Sequence, residues 1–358
     1  MNVMRIINNY TKHPYIYDAP ITTYLDITNY DKERVHITDL TYKNLTIMTM
    51  NQTCIYFNNN IINECKIQNG VITQLQLNYN NIKIFILVNQ QHLKELYCDD
   101  NNINKLLLSN TPNIKTISCS HNNISDINLS KCTNITHLDI CFNNLEYLDV
   151  SRLLLLEALN CSNNDINQLE LPNISLLKVL ICSNNNLEYI NLQNTPNITT
   201  LDINSNNIKY LDVSKLTLLK QLDCSYNNLK HVKLSKSIKY LYCSHNCLTT
   251  LDIRDIYNLK TIHCDNNELT KIYKHHMIYQ NIKLHNNQFT AIKNTCPIYI
   301  NSIFNHIIIN QYIDGTLKAY IVLKYLNVKS YISNEQSIYL KYNIKHSHIS
   351  IDGCRYFI

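Results

Sequence analysis

The chain of 358 residues contains only three glycines and no tryptophan. A P-loop, a dinucleotide-binding turn and a hydrolase nucleophile elbow each need glycines a few residues apart. Gly70, Gly315 and Gly353 are far apart, so these enzyme motifs are excluded. No apolar run approaches the roughly 18 residues of a membrane-spanning helix, and the first residues show no apolar signal-peptide core. We therefore expect neither a membrane span nor a secretory signal.

Charge is also sparse. Charged residues make up 16% of the chain and hydrophobic residues 45%, which is typical of a folded protein. The formal net charge of +5 is small for this length. It permits attraction to acidic partners without requiring one. Asn, Ile, Lys and Tyr are abundant, and their AT-rich codons indicate a bias of the genome more than a chemical requirement.

One 11-residue pattern, L-x-x-L-x-C/I-x-x-N-x-L, recurs nine times, with a spacing of 21 residues in all but one interval. The copies are LKELYCDDNNI (93–103), IKTISCSHNNI (114–124), ITHLDICFNNL (135–145), LEALNCSNNDI (156–166), LKVLICSNNNL (177–187), ITTLDINSNNI (198–208), LKQLDCSYNNL (219–229), IKYLYCSHNCL (238–248) and LKTIHCDNNEL (259–269). Weaker copies lie at 54–62, 72–82 and 279–289. A fixed period of this length predicts a repeat protein of about twelve stacked coils.

Half of the cysteines occupy a single position of this pattern. They are Cys98, Cys119, Cys161, Cys182, Cys224, Cys243 and Cys264, and Ile140 and Ile203 fill the same position in two further coils. Interchange with isoleucine indicates a buried apolar slot in which cysteine acts as a small hydrophobe. The sequence thus predicts a cysteine ladder of reduced thiols, which suits an intracellular protein.

The remaining pattern positions predict the local structure of a coil. The alternation of inward Leu, Leu or Ile, and Cys or Ile is strand periodicity. The Asn that ends the strand can donate to and accept from backbone, which predicts an asparagine ladder. A second apolar pair with period two, such as Leu148 and Val150, predicts extended backbone on the return side. The expected fold is mainly β: a solenoid with a parallel sheet on its concave face and a convex side with little helix.

The pattern covers only the middle of the chain. We predict an N-terminal cap at residues 1–50, a solenoid at 51–290 and a β-rich C-terminal cap or small domain at 291–358. The Asp-Gly pairs at 314–315 and 352–353 predict hairpins in the last segment.

The 21-residue unit with its inner cysteines resembles the cysteine-ladder leucine-rich repeats of the internalin J type. The version rich in Asn, Ile, Lys and Tyr is most similar to the leucine-rich repeat gene family of insect poxviruses. The resemblance covers roughly residues 52–290. It implies the leucine-rich repeat fold and an intracellular protein of unassigned activity, and it supplies no catalytic residue.

The outward side chains of the predicted sheet form columns that vary while the skeleton stays constant, which is typical of a surface free of folding constraints. One such column, from Asp99 to Asp265, follows the cysteine position directly. Aromatic side chains in polar surroundings are frequent binding hot spots, although the chain is rich in tyrosine throughout. The predicted partner-binding residues are Tyr97, Asp139, Phe142, Ile181, Asp202, Asp223, Tyr226, Tyr240, Tyr242, His245 and His263.

Two other clusters have a weaker claim. A lysine column, Lys94, Lys115, Lys178, Lys220, Lys239 and Lys260, would follow one sheet edge. It suggests nucleic-acid binding, but nearby aspartates and the small net charge favour a solvated repeat surface. Cys243, His245, Cys247, His263 and Cys264 resemble a metal set. Zinc needs four converging ligands, whereas here thiols should point inward and imidazoles outward. We expect no metal, no cofactor and no catalytic residue.

The sequence therefore predicts a non-catalytic protein–protein interaction module that binds a protein partner through the concave face. It is expected to be a monomer in the cytoplasm (the host cytoplasm if the protein is viral), without nucleic acid or membrane as partner. One alternative is an adaptor whose segment 291–358 recruits further machinery to a target held by the repeats. Another is an enzyme with its active site in that segment.

Overall fold

The computed structural model describes residues 3–7, 22–26, 34–38, 41–48, 54–58, 61–68, 71–274, 281–288, 309–313, 316–320, 348–351 and 354–357. The chain divides into two compact units, Met1–Thr195 (unit 1) and Pro196–Ile358 (unit 2). In the described ranges there are strands, turns and bends but no helix, so none of these residues lies in a helix able to cross a bilayer. The prediction of a mainly β chain is confirmed.

Unit 1 consists of parallel strands arranged in two sheets. The strands are β1 (Val3–Ile7), β2 (Thr22–Asp26), β3 (Arg34–Thr38), β4 (Thr41–Met48), β5 (Cys54–Asn58), β6 (Ile61–Gln68), β7 (Gln74–Gln76), β8 (Ile84–Val88), β9 (Glu95–Tyr97), β10 (Lys105–Ser109), β11 (Thr116–Ser118), β12 (His137–Asp139), β13 (Ala158–Asn160) and β14 (Val179–Ile181). The main sheet has the order β1-β3-β5-β7-β9-β11-β12-β13-β14, and the return sheet has the order β2-β4-β6-β8-β10. Strands β1 to β4 lie in the segment predicted as a cap, so parallel stacking extends into that segment.

Unit 2 repeats this arrangement and adds two hairpins. Its strands are β15 (Thr200–Asp202), β16 (Tyr210–Asp212), β17 (Gln221–Asp223), β18 (His231–Lys233), β19 (Tyr240–Tyr242), β20 (Thr250–Asp252), β21 (Thr261–His263), β22 (Lys271–Tyr273), β23 (Asn281–Lys283), β24 (Ile309–Ile313), β25 (Thr316–Tyr320), β26 (His348–Ile351) and β27 (Cys354–Phe357). The main sheet has the order β15-β17-β19-β21-β23, and parallel pairs β16-β18 and β20-β22 form the return side.

The last four strands pair as antiparallel hairpins, β24 with β25 and β26 with β27. Ile313 is opposite Thr316 and Ile351 is opposite Cys354, so the two predicted Asp-Gly pairs connect the strands. The hairpin predictions are confirmed. Most of 291–358 lies outside the described residues, and the domain boundaries at 50 and 290 stay predictions.

The core is built from the same template positions in every coil. Parallel pairing places Leu138 beside Leu159 and Leu159 beside Leu180, and all three are buried. Burial of each such side chain stabilises the fold by about 1.5–3 kcal/mol. The seven template cysteines are buried and free, so the predicted apolar slot is confirmed. Leu148 and Val150 are also buried on an extended return side.

The asparagine ladder fixes the corner after each main-sheet strand, as Asn143 illustrates. Its Nδ2 donates to the carbonyls of Ile140 (3.2 Å) and Cys141 (3.1 Å) in its own coil, and to that of Cys119 (2.9 Å) in the preceding coil. Its Oδ1 accepts from the backbone N–H of Ile124 at 2.9 Å. The predicted backbone bonding is confirmed, and it also joins consecutive coils.

In the described coils from residue 71 onward, the residue immediately before each ladder asparagine has a left-handed backbone. These residues, here called the left-handed column, are Tyr79, Asp100, His121, Phe142, Asn163, Asn184, Ser205, Tyr226, His245, Asn266 and Asn286, with φ between 51° and 58°. Glycine and asparagine adopt this conformation readily, whereas other residues are strained by their Cβ atom. The scarcity of glycine thus means that side chains project from every corner of this column.

Candidate functional site

The outward surface of each main sheet, together with its left-handed column, is called the ladder face of that unit. On the ladder face of unit 2 lies a cavity of about 330 Å³. We call it the aromatic depression and define it by Asp223, Tyr226, Tyr242, His245, His263 and Asp265. All but Asp265 belong to the predicted partner-binding set.

Two rings of the depression are stacked at the corners of neighbouring coils. The centroids of Tyr226 and His245 are 4.1 Å apart, and the planes are inclined by 10°. The backbone N–H of Tyr226 donates to the carbonyl of Ser244 at 2.9 Å, which holds the coils in register. Both residues are in the left-handed column and both are exposed. The repeat backbone therefore orients an exposed pair of rings.

A second ring pair lies on the strands themselves. Tyr242 and His263 are opposite each other in β19 and β21, with centroids 5.0 Å apart in an edge-to-face arrangement. The His263 Nε2 atom is buried and has no hydrogen-bond partner among the described residues. Burial, followed by the nearby Lys283 charge, lowers the pKa of His263. The imidazole is thus neutral at pH 7, and Nε2 has unused hydrogen-bonding capacity.

Two carboxylates border the rings. Burial alone would raise the pKa of Asp265, but a hydrogen bond from Ser244 Oγ (2.7 Å) and the neighbouring His285 imidazole (3.4 Å) lower it overall. Asp223 is opposite Asp202 in the sheet. Burial raises the pKa of Asp202, and the Asp223 charge adds to this effect. The depression therefore has ionised carboxylate beside aromatic surface.

The other predicted residues lie outside the depression. Asp202 and Tyr240 are half-buried on the ladder face of unit 2, and Tyr97, Asp139 and Ile181 are half-buried on that of unit 1. Phe142, in unit 1, is exposed and stacks on His121 with centroids 4.1 Å apart and planes inclined by 13°. Whether any of these residues binds a partner stays a prediction.

The prediction that the column after the cysteine position is free of folding constraints is wrong. Its members Cys141, Ser162, Ser183, Ser225, Ser244 and Asp265 are buried. Because the next residue is left-handed, the chain turns here and these side chains lie against an adjacent coil. Asp99, for example, accepts from Ser118 Oγ (2.7 Å) and Ser120 Oγ (2.8 Å). The prevalence of small serine in this column was the available indication.

The cysteine and histidine cluster considered for metal binding is divided between the interior of the coils and the ladder face. Cys243 and Cys264 are buried inside the coil, whereas His245 is exposed on the ladder face. In the described part of the chain, no three His, Cys, Asp or Glu residues are placed to hold a metal ion together.

Stacked parallel coils with inner Leu and Cys positions and an asparagine ladder define the leucine-rich repeat fold, and solved structures confirm it. The functional domain of InlJ from Listeria monocytogenes, which includes a cysteine ladder, matches with a TM-score of 0.54 and 22% identity over 62% of this chain and 60% of that chain. YopM from Yersinia enterocolitica WA-314 matches with a TM-score of 0.57 and 17% identity over 71% of this chain and 60% of that chain. The APL1 leucine-rich repeat domain matches with a TM-score of 0.55 and 17% identity over 74% of this chain and 86% of that chain.

The match thus spans 60% of the length of the InlJ and YopM chains. At these identities the likeness shows the fold alone. No protein-family model and no curated protein matches the sequence.

Proposed function

We propose that this protein is a non-catalytic recognition module that binds a protein partner through the aromatic depression of unit 2. The observation that carries this proposal is the stacked pair of Tyr226 and His245, held exposed at two left-handed corners beside the cavity. The coils on either side have Ser205 and Asn266 at the same position, so the fold does not require rings there.

Energetics favour a binding role for these rings. A tyrosine or histidine in the left-handed region costs roughly 1–2 kcal/mol relative to a residue that tolerates it, and such strain often accompanies function. Stacking also restricts the rings before a partner arrives, which reduces the entropy lost on binding. Tyrosine is also one of the residues most enriched among binding hot spots.

The proposal also includes a cellular location, a family relation and a class of partner. We place the protein in the cytoplasm, where reducing conditions would preserve the buried thiols. We also retain the proposed relation to insect-poxvirus leucine-rich repeat proteins, which the repeat composition supports. The proposed partner is a protein, bound by a monomer of this chain, and neither nucleic acid nor a membrane is needed.

The test is affinity capture of partners from cells that naturally contain the protein, followed by a direct binding assay with each candidate. The test variant is Tyr226→Asn combined with His245→Asn, because asparagine fits the left-handed backbone and occurs there at Asn163 and Asn184. We expect the variant to weaken binding at least about thirtyfold, the effect of losing a hot spot.

The matched control is His121→Asn combined with Phe142→Asn, which removes an equivalent stacked pair from unit 1. A partner that binds both variants like the wild type would overturn the assignment of the site. Deletion of residues 291–358 provides a third arm. Loss of a partner on that deletion alone would favour the adaptor alternative.

A further inference from the structure

We propose that a groove on unit 1 binds a compact oxyanion of the phosphate monoester class. The groove, here called the basic groove, has a volume of about 340 Å³ and is lined by Thr73, Gln91, His92, Lys94, Lys115, Asn113 and Asn134. The two lysines belong to the column that follows the first Leu of each coil, for which the proposed function has no role.

The backbone holds the lysines side by side on adjacent coils. The backbone N–H of Lys115 donates to the carbonyl of Lys94 at 2.8 Å, so the two side chains start about 4.8 Å apart, one strand spacing. Two amides fix the wall opposite. Asn113 Nδ2 donates to the carbonyl of Gln91 at 2.7 Å, and Asn134 Nδ2 donates to that of Pro112 at 3.0 Å.

Among the described residues, no ion pair compensates the positive charge of the groove. No carboxylate lines the cavity. The carboxylate of the adjacent Glu95 forms no ion pair with Lys94 or Lys115, and its Oε2 accepts from Gln74 Nε2 (3.1 Å) and Tyr97 Oη (3.4 Å). Neither Lys94 nor Lys115 makes a side-chain hydrogen bond or ion pair with the described residues. Two like charges at this spacing repel each other, and an anion between them would remove that cost.

Another lysine of the same column differs from those of the groove because it forms an ion pair. Lys178 is paired with Glu157, with Nζ and Oε2 2.6 Å apart. A lysine in this column is thus neutralised where a carboxylate occupies the neighbouring coil, and the basic groove lacks such a neighbour.

The shape of the groove favours a single compact anion over a nucleic-acid strand. After Lys94 and Lys115, the same template position is Thr136 and then Glu157, so the positive column ends after two coils. A polyanion needs charge along a longer path. A phosphate monoester, with up to two negative charges and three acceptor oxygens, fits two ammonium groups, an imidazole and the second N–H of Asn113, which Asn134 Nδ2 holds through Asn113 Oδ1 at 3.5 Å.

The experiment is a ³¹P NMR titration of O-phosphoserine with the full chain in buffer free of phosphate and sulfate. We expect line broadening that saturates and weakens with added salt. Lys94→Gln and Lys115→Gln should each reduce affinity about fivefold, and the double variant more than about tenfold. The matched control is Lys220→Gln with Lys239→Gln. These lysines share the template position and the same backbone hydrogen bond of 2.8 Å, but they do not line this groove.

A second variant tests whether the groove contributes to binding beyond the charge of its two lysines. Asn134→Leu copies Leu155 of the next coil, so the fold tolerates it, and it keeps both lysines while removing a lining amide. We expect at least a threefold loss of affinity. Unchanged binding in this variant, or equal loss in the Lys220/Lys239 control, would overturn the groove. So would saturable binding of a single-stranded oligonucleotide in the absence of phosphoserine binding, because that outcome indicates a polyanion surface.

Discussion

Two columns of residues that lie one position apart behave in opposite ways. The asparagine ladder has the same residue in coil after coil. From Asn101 to Asn287 its described members are buried, with backbone hydrogen bonds to their own coil and, within a unit, to the preceding one. The left-handed column beside it contains Asn, Asp, Ser, His, Phe and Tyr. Buried polar groups need hydrogen-bond partners, which restricts the first column to asparagine. A position in the second column needs only a residue that tolerates a left-handed backbone. Sequence variation is therefore concentrated in the second column, which contributes two rings to the proposed binding site.

Removal of a ladder asparagine should cause the largest loss of stability. Asn143→Ala should destabilise the protein by about 2–6 kcal/mol. The buried Ile124 N–H would be left without its acceptor, at a cost of about 1–3 kcal/mol, and the hydrogen bonds to three carbonyls would be lost at about 0.5–1 kcal/mol each. The Cys119 carbonyl would keep Asn122 Nδ2 as a donor. Urea unfolding would measure the loss. Asn144→Ala is the control, because the side chain of Asn144 is exposed, and it should stay within about 0.5 kcal/mol. Equal destabilisation by both variants would contradict the role given to the ladder.

The cysteine ladder should be less sensitive than the asparagine ladder. Cys161→Ile should cost less than about 1.5 kcal/mol, because isoleucine occupies the slot at Ile140 and Ile203. Cys161→Ser should cost about 1–3 kcal/mol, because it places a hydroxyl in an apolar site. Calorimetric unfolding of the two variants tests this order, and a serine variant more stable than the isoleucine variant would contradict the apolar slot.

The thiols of this ladder should also be inert in the folded protein. Burial, with a contribution from Asp139, raises the pKa of Cys161 to about 12. A maleimide at pH 8 should therefore label Cys161 only after unfolding, because the thiolate is the reactive form. Peptide mapping of labelled native and denatured protein would measure this, and rapid labelling of Cys161 in the native protein would disprove burial.

Changes in the left-handed column should have small effects on stability. Ser205→Asn should stabilise the protein by about 0.5–1 kcal/mol, because asparagine tolerates the conformation. Tyr226→Asn should change stability by less than about 1 kcal/mol, since relief of strain offsets the lost stacking with His245. Thermal unfolding distinguishes the two variants. A large destabilisation by Tyr226→Asn would mean that the ring serves the fold and would weaken its assignment to recognition.

Sequence patterns predicted the features that recur in every coil. The periodic Leu and Cys positions predicted the parallel strands, the apolar slot and the extended return side, because period-two burial leaves few alternatives. The Asn column predicted backbone bonding at the corner. The left-handed corners were not predicted, although Asn163, Asn184 and Asn266 in that column were an indication. Ring stacking, the aromatic depression and the basic groove depend on side-chain orientation between coils, which a one-coil pattern does not specify.

The smallest expected effect concerns His263 and pH. Its pKa is lowered from the ordinary value of about 6.5 by burial and by Lys283. The unfolded chain therefore takes up a proton before the folded chain does, and the contribution of this residue to stability falls as pH decreases below about 6.5. His263→Gln should reduce the slope of stability between pH 7 and pH 5, and Lys283→Gln should reduce it in part. Urea midpoints at intervals of pH would measure both slopes. If the His263→Gln slope equals that of the wild type, the surroundings of the imidazole do not lower its pKa. The same titration can be run with a bound partner, because a partner that hydrogen-bonds to neutral His263 must lose affinity as this residue becomes protonated.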